Sequence, residues 1–202
     1  MAGDAPTVRI SLASAAREGS GRAAIRVLWG QSLLDDLEAG RYRTIVCGVN
    51  DSDNSQGVLG EILRLVPGSQ WTVASATSYA RVFRDAVSLH AKGDREPYVL
   101  KFDLDRLLVL GLLRPAGRHH FTLADLETGF ATVRTMLEGR RDRQPVATVS
   151  FLGAKSNPVR EAGGATPSLE SVLAALHRAG FEGDFYPPLS AAGEGVMRAR
   201  YP

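Results

Sequence analysis

Cysteine, lysine and long apolar runs are all scarce in this chain of 202 residues. Cys47 is the only cysteine, which excludes an intramolecular disulfide framework and a zinc site with several cysteine ligands, and agrees with a reducing compartment. The longest apolar run, residues 107–113, is about a third of the roughly 20 residues needed to cross a bilayer. The N-terminal residues lack the basic and apolar regions of a secretory signal. We therefore expect a cytoplasmic protein without a membrane segment.

The composition is that of an ordinary globular domain, with 44% hydrophobic and 23% charged residues. A net charge of +2 is too small to indicate a nucleic-acid partner by itself. The chain is arginine-rich, because only Lys92, Lys101 and Lys155 among its 24 basic residues are lysine. Arginine offers a planar fork of donors to phosphate, but a codon-usage bias, shared with the abundant Ala and Gly, is the favoured explanation of the excess.

Two β-branched segments, residues 44–49 and 146–152, predict the core strands of a sheet, and each is followed by a polar loop. Apolar residues at helical spacing predict helices beginning near residues 58, 75, 104, 122 and 169. The fold class is therefore α/β, with a central sheet flanked by helices and a helical insertion between the two core strands, about residues 70–140. Residues 23–202 form one domain, and residues 1–22 an N-terminal arm or edge strand.

The sequence also predicts helix caps, a buried helix face and further strands. Ser75 or Thr77 is expected to cap the helix near residue 75, whose apolar stripe predicts a buried face made of Tyr79, Val82, Phe83, Ala86 and His90. Residues 98–102 predict a short strand and residues 104–113 an apolar helix capped by Asp103; equally, Pro97 could lie in the first turn of one longer helix. Residues 181–186 and 196–201 predict edge strands.

The loop at residues 50–57 is the main candidate for a ligand site. It leaves the carboxyl end of a predicted core strand and opens a helix, so that backbone N–H groups and the positive end of a helix dipole face a ligand. Its oxygen-bearing side chains are Asn50, Asp51, Asp53, Asn54 and Ser55. The alternative is a solvated turn whose side chains bond to their own backbone and cap the next helix.

Asp51 and Asp53 are the candidate metal ligands in this loop, and magnesium is the cofactor that such hard oxygen ligands suit. The spacing excludes an EF-hand, because Gln56 stands where glycine is required and Ile62 where the bidentate glutamate belongs. The phosphate-loop and dinucleotide glycine patterns are absent from the sequence. Any metal or anion site here therefore belongs to no standard motif.

Three further residues are candidates for chemistry on an anionic substrate. Lys155 or Arg118 would neutralise substrate charge, and His120 would transfer a proton. No trio of acid, base and nucleophile can be assembled from the sequence, so a non-enzymatic binding or assembly module is the first hypothesis. Its partner would be a protein or a small anionic ligand. A metal-dependent α/β enzyme acting on a phosphorylated or anionic small molecule is the alternative.

A second alternative is nucleic-acid binding through residues 104–159, where a predicted helix, extended segment, helix and strand follow the order of a winged helix. Basic residues that could contact phosphates lie in this region: Arg134, Arg140, Arg141, Arg143 and Lys155. The helix-turn-helix pattern fits poorly, because Val133 keeps phase with one uninterrupted amphipathic helix.

Overall fold

The computed structural model describes residues 8–9, 25–66, 69–90, 96–138, 145–152 and 158–187. Its strands are β1 Val8–Arg9, β2 Ile25–Val27, β3 Thr44–Val49, β4 Tyr98–Leu104, β5 Leu107–Leu113, β6 Val146–Val149 and β7 Gly183–Tyr186. Its helices are α1 Leu33–Glu38, α2 Val58–Leu65, α3 Val73–His90, α4 Leu123–Glu138 and α5 Leu169–Arg178. None of the helices described is both long and apolar enough to cross a membrane.

The strands form one seven-stranded sheet in the order β1-β2-β7-β6-β3-β5-β4. The five inner strands are parallel, while β1 and β4 are antiparallel to their neighbours at the two edges. Helices α1, α2 and α3 cover one face of the sheet, and α4 and α5 cover the other. The predicted α/β class, a central sheet flanked by helices, is confirmed.

Local sequence explains most of the helices. In α4, the Thr122 hydroxyl accepts the backbone N–H of Asp125 at 3.1 Å, and the Asp125 carboxylate accepts that of Thr122 at 2.7 Å. This reciprocal cap satisfies two backbone donors that a helix start leaves unpaired. Ser168 caps α5 from one side only, since its hydroxyl accepts the backbone N–H of Ser171 at 3.1 Å. The predicted helices near residues 58, 122 and 169 are confirmed, as is the strand at 44–49.

The helix predicted over residues 104–113 is wrong. These residues end β4, turn at residues 105 and 106, and continue as β5, every residue of which is buried. A strand covered on both faces has no alternation, so its apolar run looks like a buried helix. Asp105 makes the turn with a φ of 63°, a conformation that aspartate tolerates better than most residues. Residues 70–140 therefore contribute two strands to the sheet as well as α3 and α4.

The predicted cap of α3 is wrong, as is the predicted burial of Tyr79, Val82 and Ala86, whereas Phe83 does pack against the core and the His90 side chain lies outside the described part. The helix begins at Val73, and Thr72 caps it by accepting the backbone N–H of Ser75 at 3.1 Å. Its buried residues are Ala76, Thr77 and Ala80, while Tyr79 and Val82 are 38% and 66% exposed. The buried face is thus made of small side chains, and the larger apolar residues lie on the flank of the helix.

The two predicted edge strands have different outcomes. Residues 183–186 form β7, which lies inside the sheet between β2 and β6, so the prediction of an edge is wrong. Residues 196–201 lie outside the described residues. Of the predicted N-terminal arm, the structure describes Val8–Arg9, which pairs with β2.

Candidate functional site

The sheet topology creates a crevice at the carboxyl ends of β3 and β6. These strands are parallel neighbours, with Thr44 opposite Val146. The chain leaves β3 toward α2 on one face and leaves β6 toward α5 on the opposite face. Loops that diverge in this way leave an opening between them, which is the usual place for a ligand in an open α/β sheet.

The loop at residues 50–57 closes on itself through Asn54, whose side chain is 3% exposed. The Asn54 side-chain oxygen accepts the backbone N–H of Asn50 at 2.8 Å. Its amide nitrogen donates to the carbonyl oxygen of Asn50 at 2.6 Å and to the hydroxyl of Thr77 at 3.1 Å. Asn54 therefore shapes the loop and anchors it to α3.

Close contact between this loop and α2 depends on Gly60. A Cβ atom at position 60 would lie 2.3 Å from the Asn54 carbonyl oxygen, which is backbone and cannot easily move. The N-cap of α2 is Gly57, which provides no side-chain acceptor for the first turn of the helix. The first turn of α2, which has no side-chain cap, therefore lies at the crevice.

Asp53 and Asn50 bond to their own neighbours in the chain. The Asp53 carboxylate accepts the backbone N–H and the hydroxyl of Ser55, both at 2.8 Å, and these bonds lower the pKa of Asp53. The side-chain oxygen of Asn50 accepts the backbone N–H of Ser52 at 3.0 Å and its hydroxyl at 2.6 Å. Such contacts are typical of a solvated turn.

Asp51 lies among three arginines. Its carboxylate is 3.4 Å from Nε of Arg84 and 3.8 Å from Nη2 of Arg114, and its carbonyl oxygen accepts from Nε of Arg81 at 3.3 Å. Arg84 also donates to the Arg114 carbonyl oxygen. Burial lowers the pKa of Arg114, an effect that the Asp51 carboxylate opposes. The charge of Asp51 is therefore directed at arginines that the sequence did not associate with it.

The predicted magnesium site at Asp51 and Asp53 stays a prediction. Within the described ranges, no three His, Cys, Asp or Glu side chains are grouped so that they could hold a metal ion. A metal at this loop would have to compete with Arg84 and Arg114 for Asp51, and with the turn at Ser55 for Asp53.

Arg118 and His120 lie in the segment between β5 and α4. Nη1 of Arg118 donates to both carboxylate oxygens of Asp125, at 3.1 and 2.9 Å, so this guanidinium is paired at the start of α4. His120 is half-buried in the same segment, next to the fully buried Phe121. Lys155 lies outside the described residues. The roles proposed for these three residues in binding or proton transfer stay predictions.

A cavity of about 200 Å³ lies at the carboxyl ends of β6 and β7, on the face that carries α1 and α2. Its walls come from residues 31–34, from Val58 and Glu61 of α2, and from the strand ends at Val149, Ser150, Tyr186 and Pro187. The walls are mainly apolar, as is usual for small-molecule pockets. The sequence predicted none of these residues as a site, because they become neighbours only through the parallel pairing of β7 with β6.

Tyr186 is held in this wall by a buried polar network. Its hydroxyl donates to Asp36 and lies 2.9 Å from the hydroxyl of Tyr42, which donates to Asp184. The Arg26 guanidinium donates two hydrogen bonds, of 2.8 and 2.6 Å, to the Asp184 carboxylate. Burial, reinforced by the hydrogen bond to Asp184, raises the pKa of Tyr42 to about 12, and burial also raises the pKa of Tyr186. Both phenols are therefore neutral at physiological pH, and Tyr186 is fixed.

Comparison with known proteins gives a fold and no sequence family. No family model matches the chain, and no curated protein matches it. A macrodomain mutant from Oceanobacillus iheyensis is similar in structure, with a TM-score of 0.52 and 9% identity over 97% of this chain and 96% of that one. A macrodomain from Trypanosoma brucei gives a TM-score of 0.48 and 13% identity over 88% of this chain and 67% of that one. The first likeness shows that this chain has a macrodomain-like α/β fold.

Proposed function

We propose that this protein is a non-enzymatic module that binds a small anionic ligand in the crevice at the carboxyl ends of β3, β6 and β7. One observation carries the proposal, the cavity of about 200 Å³ at the point where the chain leaves neighbouring strands toward opposite faces. The macrodomain-like fold is consistent with a binding module. The cavity has room for one ring or one small polar group of a ligand, and the remainder would extend over the loop at residues 50–57.

The preference for an anion follows from the start of α2. This helix has eight residues, its N-cap Gly57 provides no side-chain acceptor, and its first-turn residues Val58 and Glu61 line the cavity. Backbone N–H groups at such a position favour negative charge. Glu61 reduces the effect, but its carboxylate is paired with Arg64 at 2.6 Å.

Binding is supported over catalysis because the charged residues that a reaction would use have other partners. Asp51 faces Arg84 and Arg114, and Arg118 faces Asp125. An enzyme built on Asp51 would need that carboxylate to leave its arginines before it could hold a metal or a proton. A binding module needs no such rearrangement.

A thermal-shift screen tests the proposal. The ligands are magnesium, inorganic phosphate, pyrophosphate, ADP and sugar conjugates of ADP such as ADP-ribose. A ligand at 100 times its dissociation constant adds about 2.7 kcal/mol, which for a chain of this size raises Tm by roughly 5–10 °C. No shift with any of these anions would contradict the proposal.

Val58→Trp locates the site, because this side chain lines the cavity and is 36% exposed, so a larger ring obstructs the cavity at little cost to the core. Met136→Trp is the matched control, on the opposite face at 38% exposure. We expect the ligand shift to disappear in Val58→Trp and to persist in Met136→Trp. Asp51→Asn and Asp53→Asn test the metal hypothesis. If magnesium raises the Tm of the wild type and of neither variant, the metal binds at the loop.

A further inference from the structure

The outer edge of β4 carries backbone groups that no described strand pairs with, because β4 ends the strand order. In β5, the hairpin partner of β4, the N–H of Leu108 points away from β4 and donates to the Arg43 carbonyl oxygen at 2.9 Å. Backbone groups alternate sides along a strand, so the odd-numbered residues of β5 face β4. Their partners Leu100 and Phe102 face back toward β5. The backbone groups of Lys101 and Asp103 therefore point outward from the sheet.

The exposed charges along this edge are self-complementary about Phe102. Lys101 and Asp103 flank that residue on one face of β4, with side chains 54% and 63% exposed and 3.5 Å apart. If a second copy pairs antiparallel with Phe102 opposite Phe102, each Lys101 stands opposite an Asp103. Both residues carry outward backbone groups, so each of these pairs can exchange two hydrogen bonds. Centring the pairing on Lys101 instead would set like charges opposite each other.

The helix above this edge adds an apolar surface. Tyr79 on α3 contacts Phe102 of β4, with ring centroids 5.8 Å apart, and is 38% exposed. Val82 lies one turn further along the same flank and is 66% exposed. A two-fold axis through Phe102, perpendicular to the sheet, places the two copies of α3 on the same face with these flanks toward each other. The stripe whose pattern predicted burial would then be covered by its own copy.

We propose that β4 is a homodimer interface, in which two copies join their edge strands antiparallel about Phe102 into one continuous sheet. Charged side chains on an edge strand also serve to prevent pairing. Two features of β4 favour pairing instead. Opposite charges stand at symmetric positions about one apolar residue, and an exposed apolar flank of α3 lies next to them. The partner is thus a second copy of this chain.

Sedimentation equilibrium of the full chain over a wide concentration range tests this proposal. We expect a monomer–dimer equilibrium that Lys101→Glu weakens by about tenfold or more, because symmetry turns two attractive cross-strand pairs into two repulsive ones. The double variant Lys101→Glu, Asp103→Lys restores opposite charges in every pair and should recover the dimer. Val82→Glu, at a site exposed enough to leave the fold intact, should also weaken the dimer.

Arg43→Glu is the control, since it makes the same charge change at an exposed residue just before β3. A monomer at every concentration would overturn the proposal, as would a dimer that Lys101→Glu and Arg43→Glu affect equally. A dimer weakened by Lys101→Glu but not recovered in the double variant would exclude pairing about Phe102. Circular dichroism of each variant separates loss of association from loss of folding.

Discussion

The loop at residues 50–57 and the cavity beside it differ in how they use their polar groups. The loop is rich in polar side chains, but Asn54, Asp53 and Asn50 direct theirs to neighbouring residues within the loop or to α3. The cavity is mainly apolar, and its polar support lies behind the wall in the network of Tyr186 and Tyr42. The polar side chains that mark the loop in the sequence therefore hold the loop in shape. The open cavity is lined mainly by apolar residues that no sequence pattern marks as a site.

The difference shows that a ligand site is more than a concentration of polar residues. A side chain that is fully hydrogen-bonded to its own chain offers little to a ligand unless those bonds break. A fixed wall beside an uncapped helix start can receive a ligand without rearrangement. The predictions below test whether the two regions have these separate roles.

The largest effect on stability is expected for Asp184→Ala. Asp184 is 6% exposed and its carboxylate accepts from Arg26 and Tyr42, so its removal takes away the charged acceptor of a buried phenol and leaves the Tyr42 hydroxyl only that of Tyr186 at 2.9 Å. The Arg26 side chain is 49% exposed and water can solvate it, which keeps the cost to roughly 2–4 kcal/mol. Urea unfolding measures this loss in the free energy of unfolding.

Glu127→Ala is the comparison for that variant, because the Glu127 pair with Arg178 is exposed on both sides. Exposed pairs contribute about 1 kcal/mol or less. Equal losses of stability in the two variants would mean that the network behind the cavity contributes no more than an exposed ion pair does.

Asn54→Ala should cost about 2 kcal/mol, because it removes a buried side chain that closes the loop and reaches Thr77. Asp53→Ala, in the same loop but fully exposed, should cost far less. Urea midpoints of the two variants compare them directly. A larger effect for Asp53 would show that the turn, rather than the buried amide, maintains the loop.

Alkaline pH should loosen the wall of the cavity. The folded state raises the pKa of Tyr42 from 10.0 to about 12, so the neutral phenol is the stabilised form. This contribution is complete below about pH 10 and is lost as the pH rises from 10 toward 12. Free energies of unfolding across that window should fall more steeply for the wild type than for Tyr42→Phe. Parallel slopes would indicate that Tyr42 titrates as it does in the unfolded chain.

The smallest effect is expected for Arg118→Ala. Its guanidinium is 40% exposed and pairs with the buried Asp125 carboxylate, which still accepts the Thr122 backbone N–H after the substitution. Because the carboxylate keeps that hydrogen bond, we expect a loss of about 1 kcal/mol and an unchanged thermal shift with any ligand that Val58→Trp abolishes. A lost ligand shift would return Arg118 to the site as an anion contact.

The sequence predicted those elements whose pattern is local. Helix α4 shows an apolar repeat and a cap at Thr122, and β3 shows a β-branched run between polar ends. Residues 107–113 show neither period, because both faces of that strand are buried. A short strand such as β7 has too few residues for a pattern, and its central place depends on pairing with β2 and β6.

The ligand site predicted at residues 50–57 stays a prediction, and the residues that line the cavity were not predicted. Residues 50–57 follow β3, whose parallel neighbour β6 is the second core strand that the sequence predicted. The wall at Tyr186 and the arginines around Asp51 could not be predicted, because both depend on contacts between residues far apart in the chain. Tyr186 and Asp36, for example, are 150 positions apart.

The place of β7 between β2 and β6 has a consequence for synthesis on the ribosome. Residues 25–27 emerge early, yet their partner strand, residues 183–186, is among the last described segments to be translated. Until then β2, paired with β1, cannot join the sheet and one side of β6 remains open, so the nascent chain presents open strand edges to other chains. Completion of the sheet, and with it the wall that Tyr186 provides, must therefore wait until residues 183–186 have left the exit tunnel.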